Sequence, residues 1–337
     1  MKIKSILVSI ILVLIAGQLI SVPAVLSFVE INGRVGASYQ LLSENNTTDG
    51  DIYLNNFDIS VEINPGDFFS TYLGLIYDDS LESFEVDEAY AKVRLIEEYS
   101  FNLGAGKFYQ PTSMGADYTN FITDPQTYTF TEISDLGLMA DVSWSSLTLT
   151  ATLFKEEIQE DDSDSDDSNL DAFVINLASE HELTEGSLFL STSYISNLLN
   201  SSIFSDEEEA DESGLKEEEE DESDKISAIS FGSAISWNNF SLLGEIALTL
   251  DDYNDKKPSV LYTEFGYSLF ENLGFALQYG MTKNADFLPE TTMGAIMNYT
   301  FLQNSFSSLN IGLEYILTKD YDDEKTETTT LKLTYDF

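Results

Sequence analysis

The chain has 337 residues, of which 43% are apolar, and 60 acidic against 15 basic residues give it a formal net charge of −45. The apolar content is enough to bury substantial surface, which argues against disorder throughout the chain. The absence of cysteine excludes a disulfide framework and thiolate metal sites.

The N-terminal segment predicts export. The chain starts with MKIK, continues with an apolar run of signal-peptide length and offers small residues for cleavage at 22–24. We therefore predict a signal peptide over residues 1–24 and a single barrel domain over residues 25–337. A retained anchor helix is the alternative, because the apolar run to Ile20 approaches membrane-spanning length.

From residue 29 onward apolar and polar residues alternate with a period of two, which is typical of strands. The segment near residue 170 is apolar on both faces, so its phase stays open, and Lys107 would face lipid unless a bulge or the membrane edge intervenes. Elsewhere the second face is too polar for a soluble core. The pattern predicts 16 strands, beginning near residues 29, 52, 68, 87, 101, 136, 147, 170, 187, 226, 240, 259, 273, 291, 306 and 328.

The connections between these strands alternate between short and long, as in outer-membrane barrels with tight periplasmic turns and extended external loops. We predict an all-β fold, a transmembrane antiparallel up-and-down β-barrel in the outer membrane of a Gram-negative bacterium. Aromatic residues near the strand ends suit the two membrane interfaces. The C-terminal strand should face lipid with Leu331, Leu333, Tyr335 and Phe337, and Phe337 is the expected signal for the barrel-assembly machinery.

Two predicted external loops, 156–169 and 197–225, are intensely acidic. They are interpreted either as solvated segments or as the source of a field that concentrates cations outside the pore. Asp162, Asp164 and Asp166 lack the glycine and distal glutamate of an EF-hand loop, so no metal site is predicted.

No motif in the chain indicates catalysis. The single histidine, His181, falls in a predicted periplasmic turn, far from where a barrel enzyme would act on lipid or peptide. We therefore expect neither enzymatic activity nor a cofactor, and the lack of basic patches argues against a nucleic-acid partner.

The third external loop, 111–134, is the predicted constriction of the channel. The strand before it should present Glu88, Tyr90, Lys92 and Arg94 to the lumen. Such mixed charges either create a transverse field that orients polar solutes or pair with one another and stiffen the wall. The residues alone leave both interpretations open.

Two stretches around this loop, GKFYQP and NFITDPQTYTFTEI, resemble the LbtU-type siderophore porin family. The matching positions are Gly106, Lys107, Tyr109, Pro111, Asn120, Ile122, Asp124, Pro125 and Thr127. The resemblance implies a plug-free, TonB-independent outer-membrane channel or receptor for ferric siderophore. The substrate or constriction candidates are Lys107, Tyr109, Asn120, Asp124, Glu132, Glu88, Tyr90, Lys92 and Arg94.

Two other functions are compatible with the same pattern. One is a general diffusion porin that prefers cations, and the other is a structural or surface-interaction barrel that displays its acidic loops. Outer-membrane lipid surrounds the protein under every alternative. A homotrimer is expected by analogy with other barrels of sixteen strands.

Overall fold

The computed structural model describes residues 28–337, except for 45–46, 79–82, 97–99, 113, 115–117, 156–169, 200, 202, 205–224, 254–255 and 304–306. The predicted signal peptide, the acidic loop 156–169 and most of the loop 197–225 lie outside the described residues. None of the helices in the described ranges is long and apolar enough to cross a membrane.

In the described part of the chain, the regular structure consists of sixteen strands and one short helix, α1. The strands are β1 (Val29–Glu44), β2 (Thr47–Gly66), β3 (Phe69–Asp78), β4 (Ser83–Ile96), β5 (Phe101–Tyr109), β6 (Ser134–Trp144), β7 (Leu147–Lys155), β8 (Leu170–Leu183), β9 (Gly186–Ile195), β10 (Ala228–Trp237), β11 (Phe240–Thr249), β12 (Ser259–Phe270), β13 (Leu273–Lys283), β14 (Thr291–Gln303), β15 (Ser308–Lys319) and β16 (Lys325–Asp336). Helix α1 (Gln126–Thr131) lies between β5 and β6.

The sheet closes on itself. Every strand pairs antiparallel with its neighbours in sequence, and β16 pairs with β1 from Arg34↔Asp336 to Glu44↔Thr326. Closure satisfies both sheet edges, which a barrel in lipid requires. The predicted 16-strand antiparallel barrel is therefore confirmed.

The first hairpin is longer than the sequence pattern indicated. The polar segment expected to be a long loop before residue 52 continues both strands instead, and only residues 45–46 separate β1 from β2. Strands β4 and β16 also begin several residues before their apolar alternation does. Beyond the hydrocarbon layer a strand has no reason to keep an apolar face, so periodicity underestimates its length.

The last strand has the predicted phase. Leu331 and Leu333 point outward with 42% and 38% of their surface exposed. The main chain of Phe337 extends the ladder, because its N–H donates to the carbonyl of Gly33 at 2.9 Å and its carbonyl accepts from the Gly33 N–H at 2.9 Å. The ring of Phe337 lies directly over Gly33, at the position that a Cβ atom would occupy.

The structure resolves the two ambiguous phases. In β8, Ala172 and Val174 face inward and are fully buried, whereas Ile175 faces outward. Lys107 keeps the outward phase of β5, two residues before that strand ends, and its Nζ donates to the carbonyl of Val86 at 2.9 Å. The bulge is in the neighbouring strand β4, where the register with β3 shifts between Glu88 and Val86.

His181 also differs from its prediction. It belongs to β8, two residues before the end of that strand, rather than to a turn. It is exposed, and its Nε2 lies 2.7 Å from the Ser179 hydroxyl oxygen.

Part of the interior is apolar, which the sequence analysis did not predict. At the long-loop end of β7–β12, inward-facing side chains pack with α1 and with residues of the connecting loops. The fully buried members include Phe130, Phe154, Ala172, Val174, Ile195, Leu198, Ala228 and Ala247. We call this the apolar core; it fills that part of the barrel and restricts the polar lumen to the remaining wall.

Candidate functional site

The connection between β5 and β6, residues 110–133, folds into the barrel; we call it the inner loop. The Ser193 hydroxyl on β9 donates to the carbonyl of Pro111 at 2.7 Å, near the start of the inner loop. Further along, the loop reaches β15 on the other side of the interior, where the N–H of Ile122 donates to Glu314 Oε2 at 2.7 Å. The inner loop therefore lies across the lumen and narrows it.

Two buried glutamates attach the inner loop to β11 and β12. Glu245 on β11 accepts from the N–H of Met114 at 2.8 Å and from the Thr127 hydroxyl at 2.6 Å. Glu264 on β12 accepts from the Thr119 hydroxyl at 2.7 Å and from the N–H of Asn120 at 3.0 Å. Both glutamates are only 3% exposed, and hydrogen bonds to loop donors offset the cost of burying their carboxylates.

Glu314 on β15 makes the third attachment and is fully buried. Its carboxylate accepts from the N–H groups of Ile122 and Thr123 at 2.7 and 3.1 Å, and from the Thr123 hydroxyl at 2.6 Å. We call Glu245, Glu264 and Glu314 the anchoring glutamates. They hold three separate points of the inner loop, which fixes its path along the β11–β15 wall.

No motif in the sequence marks the anchoring glutamates as functional residues. Strand alternation predicts only that Glu264 and Glu314 lie on the polar faces of their strands. The available signal was an acidic side chain in the lumen phase with no basic residue nearby in sequence. That signal cannot reveal a partner more than a hundred residues away.

Asn120 is a structural residue of the inner loop. Both its main-chain N–H and its side-chain amide donate to Glu264, and its carbonyl accepts from Asn298 Nδ2 at 2.8 Å. A Cβ atom at Gly266 would lie 3.1 Å from Asn120 Nδ2, so glycine leaves room for this amide. Its bonds direct Asn120 toward the wall rather than toward a solute.

The inner loop turns an acidic face to the lumen. Burial raises the pKa of the Asp124 carboxyl, an effect that the attraction of Lys332 on β16 opposes. Burial also raises the pKa of Glu132, although a 3.0 Å hydrogen bond from the Tyr128 hydroxyl counteracts it. Both carboxylates belong to the loop, and Asp124 lies near Lys332 of β16, the strand next to β15.

Tyr109 links the start of the inner loop to β4. Its hydroxyl donates to Asp87 Oδ1 at 2.6 Å, and its N–H donates to Glu88 Oε1 at 3.2 Å. Asp87 is the residue at the β4 bulge, so the bulge brings this carboxylate within reach of the tyrosine.

Strands β1 and β4 carry basic side chains. Arg34 on β1 donates through Nε to Asp336 Oδ1 at 2.8 Å. On β4, Lys92 Nζ lies 5.0 Å from the centre of the Tyr90 ring, and Arg94 Nε donates to Asn102 Oδ1 at 3.4 Å. Within the described part of the chain neither Lys92 nor Arg94 makes an ion pair, which favours a field across the lumen over a paired, stiffened wall.

The structure brings most of the predicted site residues to one channel. Five belong to the lumen wall or to the start of the inner loop, and three lie on the inner loop itself. The wall group is Glu88, Tyr90, Lys92, Arg94 and Tyr109, and the loop group is Asn120, Asp124 and Glu132. Lys107 lies apart from them on the outward face, in register with Ala89 and Leu136.

A cavity of about 730 Å³ lies beside the inner loop, between β2 and β7. It extends from Tyr109 and Pro111 to Phe68 at the short-turn end, and Lys92 and Arg94 line it. No group of three or more acidic or histidine side chains in the described ranges is arranged to hold a metal ion.

Comparisons with known proteins relate the chain by fold. No family model and no curated protein matches its sequence. Solved structures do match. The anion-selective porin of Comamonas acidovorans has a TM-score of 0.61 and 10% identity over 92% of this chain and 99% of its own. The outer-membrane channel DcaP of Acinetobacter baumannii has a TM-score of 0.58 and 12% identity over 92% and 97%.

A third similar structure is OmpT of Vibrio cholerae in a trimer form, with a TM-score of 0.55 and 11% identity over 92% of this chain and 99% of its own. At these identities the likeness shows the fold alone. The closed barrel of sixteen strands and its porin neighbours together identify a multi-pass β-barrel of the outer membrane with a porin-like channel fold.

Proposed function

We propose that this protein is a passive channel through which small polar solutes cross the outer membrane. The observation that carries the proposal is the fixed inner loop: it is bound to the β11–β15 wall and leaves a lumen between itself and the remaining wall. The loop presents Asp124 and Glu132 to this lumen, whereas β4 presents Lys92 and Arg94 to it. Such a field aligns polar solutes as they pass and disfavours apolar ones.

The direction of the barrel follows from the connections. We propose that the short turns face the periplasm and the long connections face outward, as in other barrels of this type. The acidic loops 156–169 and 197–225 would then lie at the outer mouth. Their charge raises the local concentration of cations there.

Ferric siderophore is the most specific cargo that the sequence supports, and we propose it as the physiological solute. The support is the resemblance over roughly residues 84–145, with its matching positions between Gly106 and Thr127. Two of the matching residues, Asn120 and Thr127, bond to anchoring glutamates, and Gly106 has a φ of 142° that disfavours a side chain. The shared motif therefore coincides with the parts that fix the inner loop.

The second candidate function is a general diffusion porin that prefers cations. The acidic face formed by Asp124 and Glu132 favours it, because negative charge at the narrowest part of a pore attracts cations. The two functions share the same channel and differ in whether a solute binds specifically.

Bilayer recordings and iron-limited growth together test the proposals. We expect purified protein to conduct KCl, ferric siderophore to interrupt that current, and a deletion strain to lose growth on at least one siderophore supplied singly, with the restored gene as control. If the protein conducted KCl but showed neither block by ferric siderophore nor loss of growth in the deletion strain, the diffusion porin would be the supported function. If it did not conduct at all, the channel function would be refuted.

We also propose a homotrimer and recognition of Phe337 by the barrel-assembly machinery. The trimer rests on analogy of fold, and the second proposal on the position of Phe337 at the β1–β16 seam. Deleting Phe337 should lower the amount of folded protein in the outer membrane, whereas unchanged surface levels would contradict the assembly role.

A further inference from the structure

The cavity beside the inner loop has an unusual arrangement of charge. Its basic groups, Lys92 and Arg94, stand on the single strand β4. Acidic groups line it on both sides, with Glu62 on β2 and Asp141 on β6. Each acidic strand is two strands away from β4, which corresponds to about 10 Å at the usual spacing between strands.

The two basic groups are available to a solute. Lys92 has no ion pair among the described residues, and its ammonium lies over the Tyr90 ring, an interaction that leaves its N–H donors free. Arg94 uses only Nε, toward the neutral oxygen of Asn102, so its two terminal nitrogens keep their donors. Residues two apart on a strand lie on one face about 7 Å from each other, so both cations can reach one carboxylate.

The acidic groups are held apart from these cations. Asn102 donates to Asp141 Oδ1 at 2.7 Å while accepting from Arg94, and thus separates the two charges. Glu62 accepts from Asn64 Nδ2 at 2.9 Å. Neither carboxylate comes within 4 Å of a lysine or arginine nitrogen in the described ranges.

This pattern selects for solutes that carry both charges. A simple anion near Lys92 and Arg94 would meet the repulsion of two flanking carboxylates, and a simple cation near Asp141 would meet that of Arg94. The hydrogen bonds from Arg94 to Asn102 and from Asn102 to Asp141, at 3.4 and 2.7 Å, place the guanidinium and the carboxylate at most about 8 Å apart. An extended peptide spans about 3.3–3.6 Å per residue, so a dipeptide or tripeptide can reach both groups and a free amino acid cannot.

We propose that this cavity is a binding site for short peptides with free termini, with the peptide carboxylate on Lys92 and Arg94 and its ammonium on Asp141. The site rests on the proposed channel function, because a solute reaches it through the lumen. The proposed peptide site does not depend on whether the channel is specific for ferric siderophore or is a general diffusion porin.

Block of the KCl current in planar bilayers tests the site. The probes are triglycine, N-acetyltriglycine, which has only the carboxylate, and triglycine amide, which has only the ammonium. We expect triglycine to block at a concentration about tenfold lower than either modified peptide, since each lost charge removes one charged contact. The double variant K92M/R94Q and the single variant D141N should each weaken triglycine block by about tenfold.

The modified peptides provide an internal check. D141N should not weaken block by N-acetyltriglycine, and K92M/R94Q should not weaken block by triglycine amide. Lys256→Met, an exposed loop substitution outside the cavity, is the matched control and should change none of these values. The proposed site would be wrong if all three peptides blocked equally well, or if the cavity variants left the blocking concentrations unchanged. If KCl conductance persisted in those experiments, the channel function would still stand. Absence of conductance in the unmodified protein would instead refute the channel function.

Discussion

Charged side chains have different roles in two parts of the barrel wall. Along β11–β15 the carboxylates of the anchoring glutamates are buried and bonded to donors of the inner loop. Along β1, β2, β4 and β6 the wall is open to the lumen and carries both signs of charge, with Lys92 and Arg94 beside Glu62 and Asp141. The overall charge of −45 therefore does not describe the channel, because three carboxylates are buried against the inner loop and the open wall is mixed in charge.

The largest loss of stability should come from a substitution in the apolar core, which fills one side of the barrel interior. Phe130 in α1 is fully buried, with its ring 5.9 Å from that of Phe204 and 6.3 Å from that of Phe287. Phe130→Ala should lower the free energy of unfolding by about 3–5 kcal/mol, because it leaves a cavity. Urea unfolding in lipid measures the change.

Phe301→Ala is the control for that substitution. Phe301 lies on the outer surface with 52% of its side chain exposed, so its loss should destabilise the barrel much less. Similar losses in the two variants would show that the apolar core does not hold the inner loop.

The next effect concerns the anchoring glutamates. Glu314→Ala removes the acceptor of three donors and leaves two N–H groups of the inner loop without a protein partner. We expect a loss of stability on the order of 3 kcal/mol together with a larger single-channel conductance, since the loop is released from the wall. Planar-bilayer recording measures the conductance.

Glu62→Gln on the open side tests whether the effect is specific to the closed half. Glu62 accepts a hydrogen bond from Asn64 and has none with the described residues of the inner loop, so the open-channel conductance should rise little. A comparable rise in both variants would indicate that any lost carboxylate widens the pore.

Gly33→Ala tests the seam between β1 and β16 in the open half. A Cβ atom there would lie 2.4 Å from Phe337 Cζ, so the terminal ring must move. We expect a loss of about 1–3 kcal/mol from overpacking and slower folding into vesicles. Gly274→Ala should not destabilise, because the nearest atom to its Cβ is 4.0 Å away; equal effects would mean that the ring does not seal the seam.

The difference between the halves also explains what the sequence could and could not predict. Strands have a local signature, so the positions of β5, β7, β11, β12, β13 and the lipid-facing row were predictable from alternation alone. Phe154 and Val174 are apolar where the strand pattern predicted a polar lumen, because they pack on a loop that is distant in sequence. Contacts of this kind have no local period, and the same holds for Glu245 with Met114.

The candidate site shows the same limit. Position in the strand pattern was enough to place Tyr90, Lys92 and Arg94 on the lumen. It did not separate Asn120, which holds the loop to Glu264, from Asp124, which lies near Lys332 of β16. The role of a loop residue depends on which wall the loop contacts.

The smallest effect should be on ion selectivity. Its pH dependence tests whether the acidic residues of the inner loop, rather than the charges of the barrel wall, set the selectivity. Desolvation by the surrounding protein raises the pKa of Asp124 and of Glu132, so both lose their charge at a higher pH than carboxyls in bulk water, which titrate near pH 4. The cation-to-anion permeability ratio, measured from reversal potentials in a KCl gradient, should therefore fall as the pH decreases toward 5.

The double variant D124N/E132Q should start from a lower ratio at neutral pH and should change less between pH 7 and about pH 5. Asp286→Asn is the control, since a hydrogen bond from Lys256 lowers the pKa of Asp286 and moves its titration to lower pH. If the double variant kept the full pH dependence, carboxylates outside the inner loop would set the selectivity. The closed half would then supply only the shape of the pore and not its charge.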